Sequence, residues 1–296
     1  MNERDCQIAL STFPVFGPRR TKLLLEYFGS ASGIWNAKAE KLLLTGLNKE
    51  IVGGFTAHRS SFDPEKYMKS MAREMVRAIT KYDPDYPTNL KLLEDAPLVL
   101  YVKGVLTKAD EKSIAIVGTR LMTNYGREVA EKFAADLARR GVTVISGLAF
   151  GIDAAAQRSA FNAGGRTISV LASGLNIISP LANKPLALDF INGKKGAVVS
   201  EHPLGYTPQP FDFPVRDRLI SGMAKGVIVI EGRMKSGTFH TVKAALDQGR
   251  PVFAVPGPIN SPFSEATNYL IQNGAKLITG VNDIFEEIDI QTSFGL

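Results

Sequence analysis

From residue 112 onward two patterns alternate: short uninterrupted apolar runs, and longer stretches in which apolar residues recur every three or four positions. An uninterrupted apolar run bounded by turn residues marks a strand buried on both faces, and the longer period marks an amphipathic helix. The runs predict strands at 114–117, 142–146, 167–171, 197–200, 227–231, 252–255 and 276–278. Between them the period predicts helices at 126–139, 152–161, 184–191, 215–223, 238–247 and 266–272. Strands and helices in regular alternation specify an α/β domain at 111–288, doubly wound around a mostly parallel sheet. Its ligand belongs beyond the carboxyl ends of the strands.

The first part of the chain follows another rule. Apolar positions recur at helical spacing in residues 21–28 and again in 67–79, and nothing in 1–80 alternates as a strand would, so a small all-helical domain is expected there. The turn FPVFGPRR places Gly17 and Pro18 between two helical segments and is similar to the hairpin of helix-hairpin-helix modules, which offers backbone N–H groups to phosphate. A plain turn between packed helices is the equal alternative. Residues 81–110 read as an ordered connector anchored by Tyr86, Pro87, Pro97 and Tyr101, and 289–296 as a tail.

Composition narrows the chemistry. The chain has 296 residues and a formal charge of +6, with 35 Lys and Arg against 29 Asp and Glu, which admits an anionic partner without requiring one. A single cysteine, Cys6, supports neither a disulfide framework nor a thiolate metal site, and the three histidines lack ligand spacing. No metal and no redox cofactor is expected. Without a signal-peptide pattern or a long apolar run, the expected location is the cytoplasm, with no membrane insertion.

The loops after the strands carry the candidate residues. After the first, Gly118 permits a tight turn, Thr119 offers a hydroxyl and Arg120 a guanidinium that can fork onto phosphate, while the glycine spacing of a dinucleotide fingerprint is missing. After the second, Ser146, Gly147 and Gly151 suggest an anion nest at a helix start, with Asp153 capping that helix or orienting Arg120. Gly174 follows the third strand. Further on, Arg216 and Arg218 are expected to converge on one ligand from a loop and first helical turn, beside Phe213, a ring suited to stacking on a base. Finally Lys235, Ser236, Gly237 and Thr238 open a helix in the manner of a phosphate site, and Glu231 is the one carboxylate placed to serve a hydrolase or to hold Arg218.

Taken in order, GTRxxTxYG from Gly118, SGLAxGID from Ser146, SExPxG from Ser200, FPxRxR from Phe213, SGT from Ser236, GRPVFAVPG from Gly249 and TNxLIxxGA from Thr267 resemble the DNA-processing protein A family, also called Smf. The resemblance covers roughly residues 80–285. It implies a Rossmann-like core behind a helical, SAM-like domain. It also implies homodimers that bind single-stranded DNA and help load the RecA recombinase in natural transformation, holding the strand without cleaving it. Carried onto this chain, the basic contacts are Arg120 and Arg216, with Arg218 and Lys235 nearby, and Asn268, Gln272 and Leu277 fall on the dimer or RecA surface. The chain departs from the pattern at Gln157, Asp217 and Ala266, where the family commonly carries histidine, asparagine and glycine. Two other readings compete. One is an enzyme similar to nucleoside-monophosphate phosphoribohydrolases, which would want a second carboxylate beside Glu231. The other is a nucleotide-sensing scaffold with a closed single-phosphate pocket.

Overall fold

A computed structural model describes residues 1–288, and the expected tail at 289–296 lies outside the described residues. The chain opens with six helices: α1 (Glu3–Ser11), α2 (Gly17–Phe28), α3 (Ala31–Trp35), α4 (Ala39–Leu43), α5 (Lys49–Ser61) and α6 (Pro64–Arg73). Their starts follow capping chemistry. Asn2 Oδ1 accepts the Asp5 N–H while the Asp5 carboxylate accepts that of Asn2, and Asn48 and Asp63 cap α5 and α6 in the simpler way. The helical spacing read from 67 to 79 stops short. Helix α6 ends at Arg73, Met75 turns the backbone at φ 54°, and Val76–Thr80 becomes strand β1.

Residues 81–110, read as an ordered connector, are built into the sheet of the α/β part. They form the short helix α7 (Thr88–Lys91) and strand β2 (Val99–Gly104), which pairs antiparallel with β1 on one side. On its other side β2 pairs antiparallel with β6 (Gly196–Ser200). The doubly wound part supplies β3 (Ser113–Val117), α8 (Asn124–Arg139), β4 (Thr143–Ser146), α9 (Ile152–Asn162), β5 (Thr167–Val170) and α10 (Lys184–Asn192) before β6. It continues with α11 (Asp212–Met223), β7 (Val227–Val229), α12 (Thr238–Asp247), β8 (Val252–Ala254), α13 (Glu265–Gln272), β9 (Lys276–Leu277) and α14 (Asn282–Phe285).

The described residues form one nine-stranded sheet in the order β1-β2-β6-β5-β4-β3-β7-β8-β9, with every pairing from β6 to β9 parallel. Strand alternation divides the core. Ile114 and Ile116 face one cluster with α8 and α9, while Ala115 and Val117 face the other with α11 and α12. The N-terminal helices pack onto the same sheet, sharing a continuous core with Val76, Val99, Tyr101, Val198 and Phe190. Tyr101, fully buried, is hydrogen-bonded through its hydroxyl to Ser11 at 2.7 Å. The chain runs outward from β3 to β6, then crosses back to β7 beside β3, so the winding reverses between those two strands.

The two margins of the sheet differ. At β1, Arg4 donates to the Ala78 carbonyl at 2.8 Å and the Asp83 carboxylate accepts the Thr80 N–H at 2.9 Å. An Arg4–Asp83 ion pair at 3.2 Å ties these two caps together. At β9, Leu277 is 46 % exposed on a strand whose outer edge carries no such cap among the described residues.

Candidate functional site

Where the winding reverses, the loops after β3 and β7 diverge and leave a groove of about 440 Å³ over the carboxyl ends of the strands. Its walls come from Gly118–Thr119–Arg120, Phe213, Arg216, Asp217, Ser236–Gly237–Thr238 and His240. Arg120, Phe213 and Arg216 also face a smaller hollow of about 120 Å³ lined by Phe150, Pro180 and Pro208, and so stand between the two spaces. Larger hollows of about 760 and 940 Å³ lie beside α2 and along β1. Volume favours them, but neither sits at the strand ends or gathers the loop motifs, so the groove is the candidate site.

Loop interlock positions Arg120. The Ile152 N–H donates to the Thr119 carbonyl at 3.2 Å, and the Thr119 N–H to that of Glu231 at 2.9 Å. Gly151 makes the first contact possible: its φ is +74°, and a Cβ there would come within 2.3 Å of the Thr119 oxygen. Arg120 is left exposed, its guanidinium 5.8 Å from the centre of the Phe213 ring.

The floor is closed on itself. Ser146 Oγ, fully buried, donates to the Ile116 carbonyl at 2.7 Å. The Gly147 N–H, expected to be open to an anion, donates instead to Asp153 Oδ2 at 3.0 Å, and Ala149 N–H joins it at 3.4 Å. Arg216 is 6 % exposed and lies flat on Gly147, where a Cβ would come within 2.8 Å of its guanidinium. Its Nη1 donates to the carbonyls of Gly147 and Val170, and its Nε to Asp217 Oδ1 at 3.0 Å. Burial pushes both Asp153 and Asp217 above the usual carboxylate range, with Arg216 pulling each back.

Arg218 does not converge with Arg216. It pairs with Glu201 and with Asp95, donating also to the Asp95 carbonyl at 2.9 Å, and fastens α11 to the segment before β2. Gly174 is likewise away from the groove, packed under Pro203 with its N–H on the Tyr206 carbonyl at 2.9 Å. Glu231 does not pair with Arg218: it accepts the Thr123 N–H at 3.0 Å and the Thr123 hydroxyl at 2.5 Å, fixing the start of α8. In the N-terminal turn, Arg20 donates to the Val15 carbonyl, while Phe13 and Phe16 pack on Phe55.

Across the groove, α12 begins at Gly237, which supplies no side-chain cap, and Ser236 Oγ is buried without a hydrogen-bond partner among the described residues. The Phe239 and His240 N–H groups donate to the carbonyls of Ser236 and Gly237, so the helix start offers an anion the N–H groups of Gly237 and Thr238 beside the unanswered hydroxyl. Lys235 is exposed just outside the lining. His240, on the first turn of α12, joins the wall, and so does Asp217. The sequence had presented His240 only as an isolated histidine. Outside the groove lining, Asn268 pins the loop after β8 through both bonds to Gly257, whereas Gln272 and Leu277 are exposed near the β9 margin.

A family model, DNA recombination-mediator protein A, matches residues 77–289. Protein Smf of Escherichia coli (strain K12) is 43% identical over 211 residues, 71% of this chain and 55% of that protein, so the match spans little more than half of that relative. The X-ray structure of DNA processing protein A from Streptococcus pneumoniae superposes with a TM-score of 0.81 at 31% identity, covering 98% of this chain and 100% of that one. A DNA processing protein A structure from Helicobacter pylori, described for its single-stranded DNA binding mode, gives a TM-score of 0.63 at 28% identity over 72% of this chain and 94% of that one.

Proposed function

The chain belongs to the DNA recombination-mediator protein A family, and from that premise we propose that its groove holds single-stranded DNA without cleaving it. The observation that carries this reading is the pairing of an exposed Arg120, stacked on Phe213, with the uncapped start of α12 across the groove. Together they offer a charge and the N–H groups of Gly237 and Thr238 to successive phosphates, those of Ser236, Phe239 and His240 being held by backbone carbonyls. The Helicobacter relative's single-strand binding supports the ligand class. Arg216 acts from beneath, shaping the floor and adding positive potential through Nη2, which has no acceptor among the described residues. Glu231, with its oxygens on Thr123, supports holding over hydrolysis.

The same reading extends to assembly. Two copies joined at the β9 margin, where Leu277 and Gln272 are exposed, would hold one strand at two grooves and pass it to RecA. Fluorescence anisotropy with a labelled single strand, duplex competitor and a salt series tests the ligand. Salt-sensitive binding that prefers the single strand and weakens in Arg120→Ala is expected. A folded protein that binds no strand at low salt would sink it and turn attention to a nucleotide. Sedimentation of Leu277→Glu tests the assembly, a monomer being the expected result.

A further inference from the structure

We infer that Asp217 selects among the bases of a bound strand, accepting a hydrogen bond from an exocyclic amino group so that cytosine is held in preference to thymine. The inference rests on the single-strand reading above and goes beyond it to sequence preference. Asp217 sits in α11 with its side chain 13% exposed, and it lines the groove. Its Oδ1 is engaged by Arg216 Nε at 3.0 Å, while Oδ2 accepts no hydrogen bond among the described residues. An acceptor therefore looks into the space where a strand would lie.

Its neighbours decide what it can meet. Arg216 offsets part of the carboxylate's charge through Nε on Oδ1, and Arg120 and His240 act on it from nearby, but the Nη1 of Arg216 is committed to the carbonyls of Gly147 and Val170, so no donor among the described residues reaches Oδ2. Asp153, the other carboxylate in the lining, is 6% exposed and takes the N–H groups of Gly147 and Ala149, so its open face toward a ligand is small. A phosphate placed against Asp217 meets like charge, and is directed to Arg120 and the start of α12 on the rim. What approaches Asp217 is then the base. Cytosine presents an amino group, which a carboxylate accepts well, whereas thymine turns carbonyl oxygens toward it and offers a single ring N–H. A groove of about 440 Å³ has room for one base beside the sugar-phosphate chain.

The experiment compares labelled homopolymers of deoxycytidine and thymidine, of equal length, at neutral pH, with the full chain and with Asp217→Asn. Asparagine keeps the shape and can still accept from Arg216, but it carries both a donor and an acceptor and no charge. The expected result is about fivefold tighter binding of the cytidine strand by the wild type, the low end of discrimination by one base contact, and a ratio near one in the variant. Loss of the charge alone would tighten both strands equally, so the ratio separates base selection from simple repulsion. Equal affinities in the wild type, or a ratio unchanged by the substitution, overturn the inference and leave single-strand binding standing. Binding of neither strand overturns both. The wild-type ratio is informative even if the variant fails to fold.

Discussion

On the floor of the groove Ser146, Gly147, Asp153 and Arg216 answer one another, while on the rim Arg120, Lys235 and Ser236 carry polar groups that find no hydrogen-bond partner among the described residues. Both regions draw on the same kinds of residue. The difference is that the floor lies at 0–6% exposure for Ser146, Asp153 and Arg216, where an unanswered polar group is destabilising, whereas Arg120 and Lys235 meet water and the Ser236 hydroxyl stands buried and unanswered at the helix start. A glycine-serine-arginine loop thus first satisfies itself, and the groups left over mark the ligand. Floor substitutions should therefore register in stability, and rim substitutions in binding.

The sharpest test lies beneath the floor. Arg218 and Glu201 form a pair whose side chains are 12% and 7% exposed, and Arg218→Ala leaves Glu201 buried without its partner, which should cost about 3–5 kcal/mol in urea unfolding. Binding by the fraction still folded should be unchanged. Gly151→Ala comes next, with a loss of about 1–3 kcal/mol from a side chain forced into positive φ against the Thr119 oxygen. Because that clash displaces the Arg120 loop, this floor variant should also weaken DNA binding, and intact affinity would break the interlock argument.

A smaller effect is expected at Asp153. Burial raises its carboxyl in the folded chain above the ordinary 3.8, so the folded state binds the proton more tightly than the unfolded one. The contribution is full below that ordinary value and is lost as pH rises through the raised one. Asp153→Asn should remove this downward slope from a stability-against-pH series. Smallest of all in stability is Arg120→Ala, within about 0.5 kcal/mol of wild type, since the side chain is exposed. Its affinity for a single strand should nevertheless fall about tenfold, with the salt slope lower by about one. A rim variant that unfolded the protein would erase the distinction.

Much of this architecture was legible beforehand because fully buried parallel strands leave uninterrupted apolar runs. The predicted 238–247 helix is α12 as found, and the other predicted helices and strands differ from it mainly at their ends. Strand β1 escaped because Val76–Thr80 continues the apolar spacing of α6, and only its partner β2, more than twenty residues later, makes it a strand. Arg120 was visible as a cation directly after a strand. Arg218 was misjudged although both arginines fall inside the predicted 215–223 helix, because convergence was expected from its first turn, whereas α11 begins at Asp212 and places both beyond that turn. Two positions along a helix turn a side chain through about 200°, which sends Arg216 to the groove and Arg218 behind it. The closed state of Gly147 depends on Asp153, which was expected to cap α9 or to orient Arg120 and instead takes the N–H groups of Gly147 and Ala149, ahead of the helix.

Growth of a chain of molecules by strand pairing needs two free ends on every copy. Here Arg4 and Asp83 occupy the outward groups of Ala78 and Thr80, leaving β9, among the described residues, as the margin without such a cap. Pairing at β9 therefore uses up each copy's one opening. The same Arg4–Asp83 clasp would hold any such strand-paired assembly to two copies, and Arg4→Ala, which frees the Ala78 carbonyl, is the change expected to let it extend.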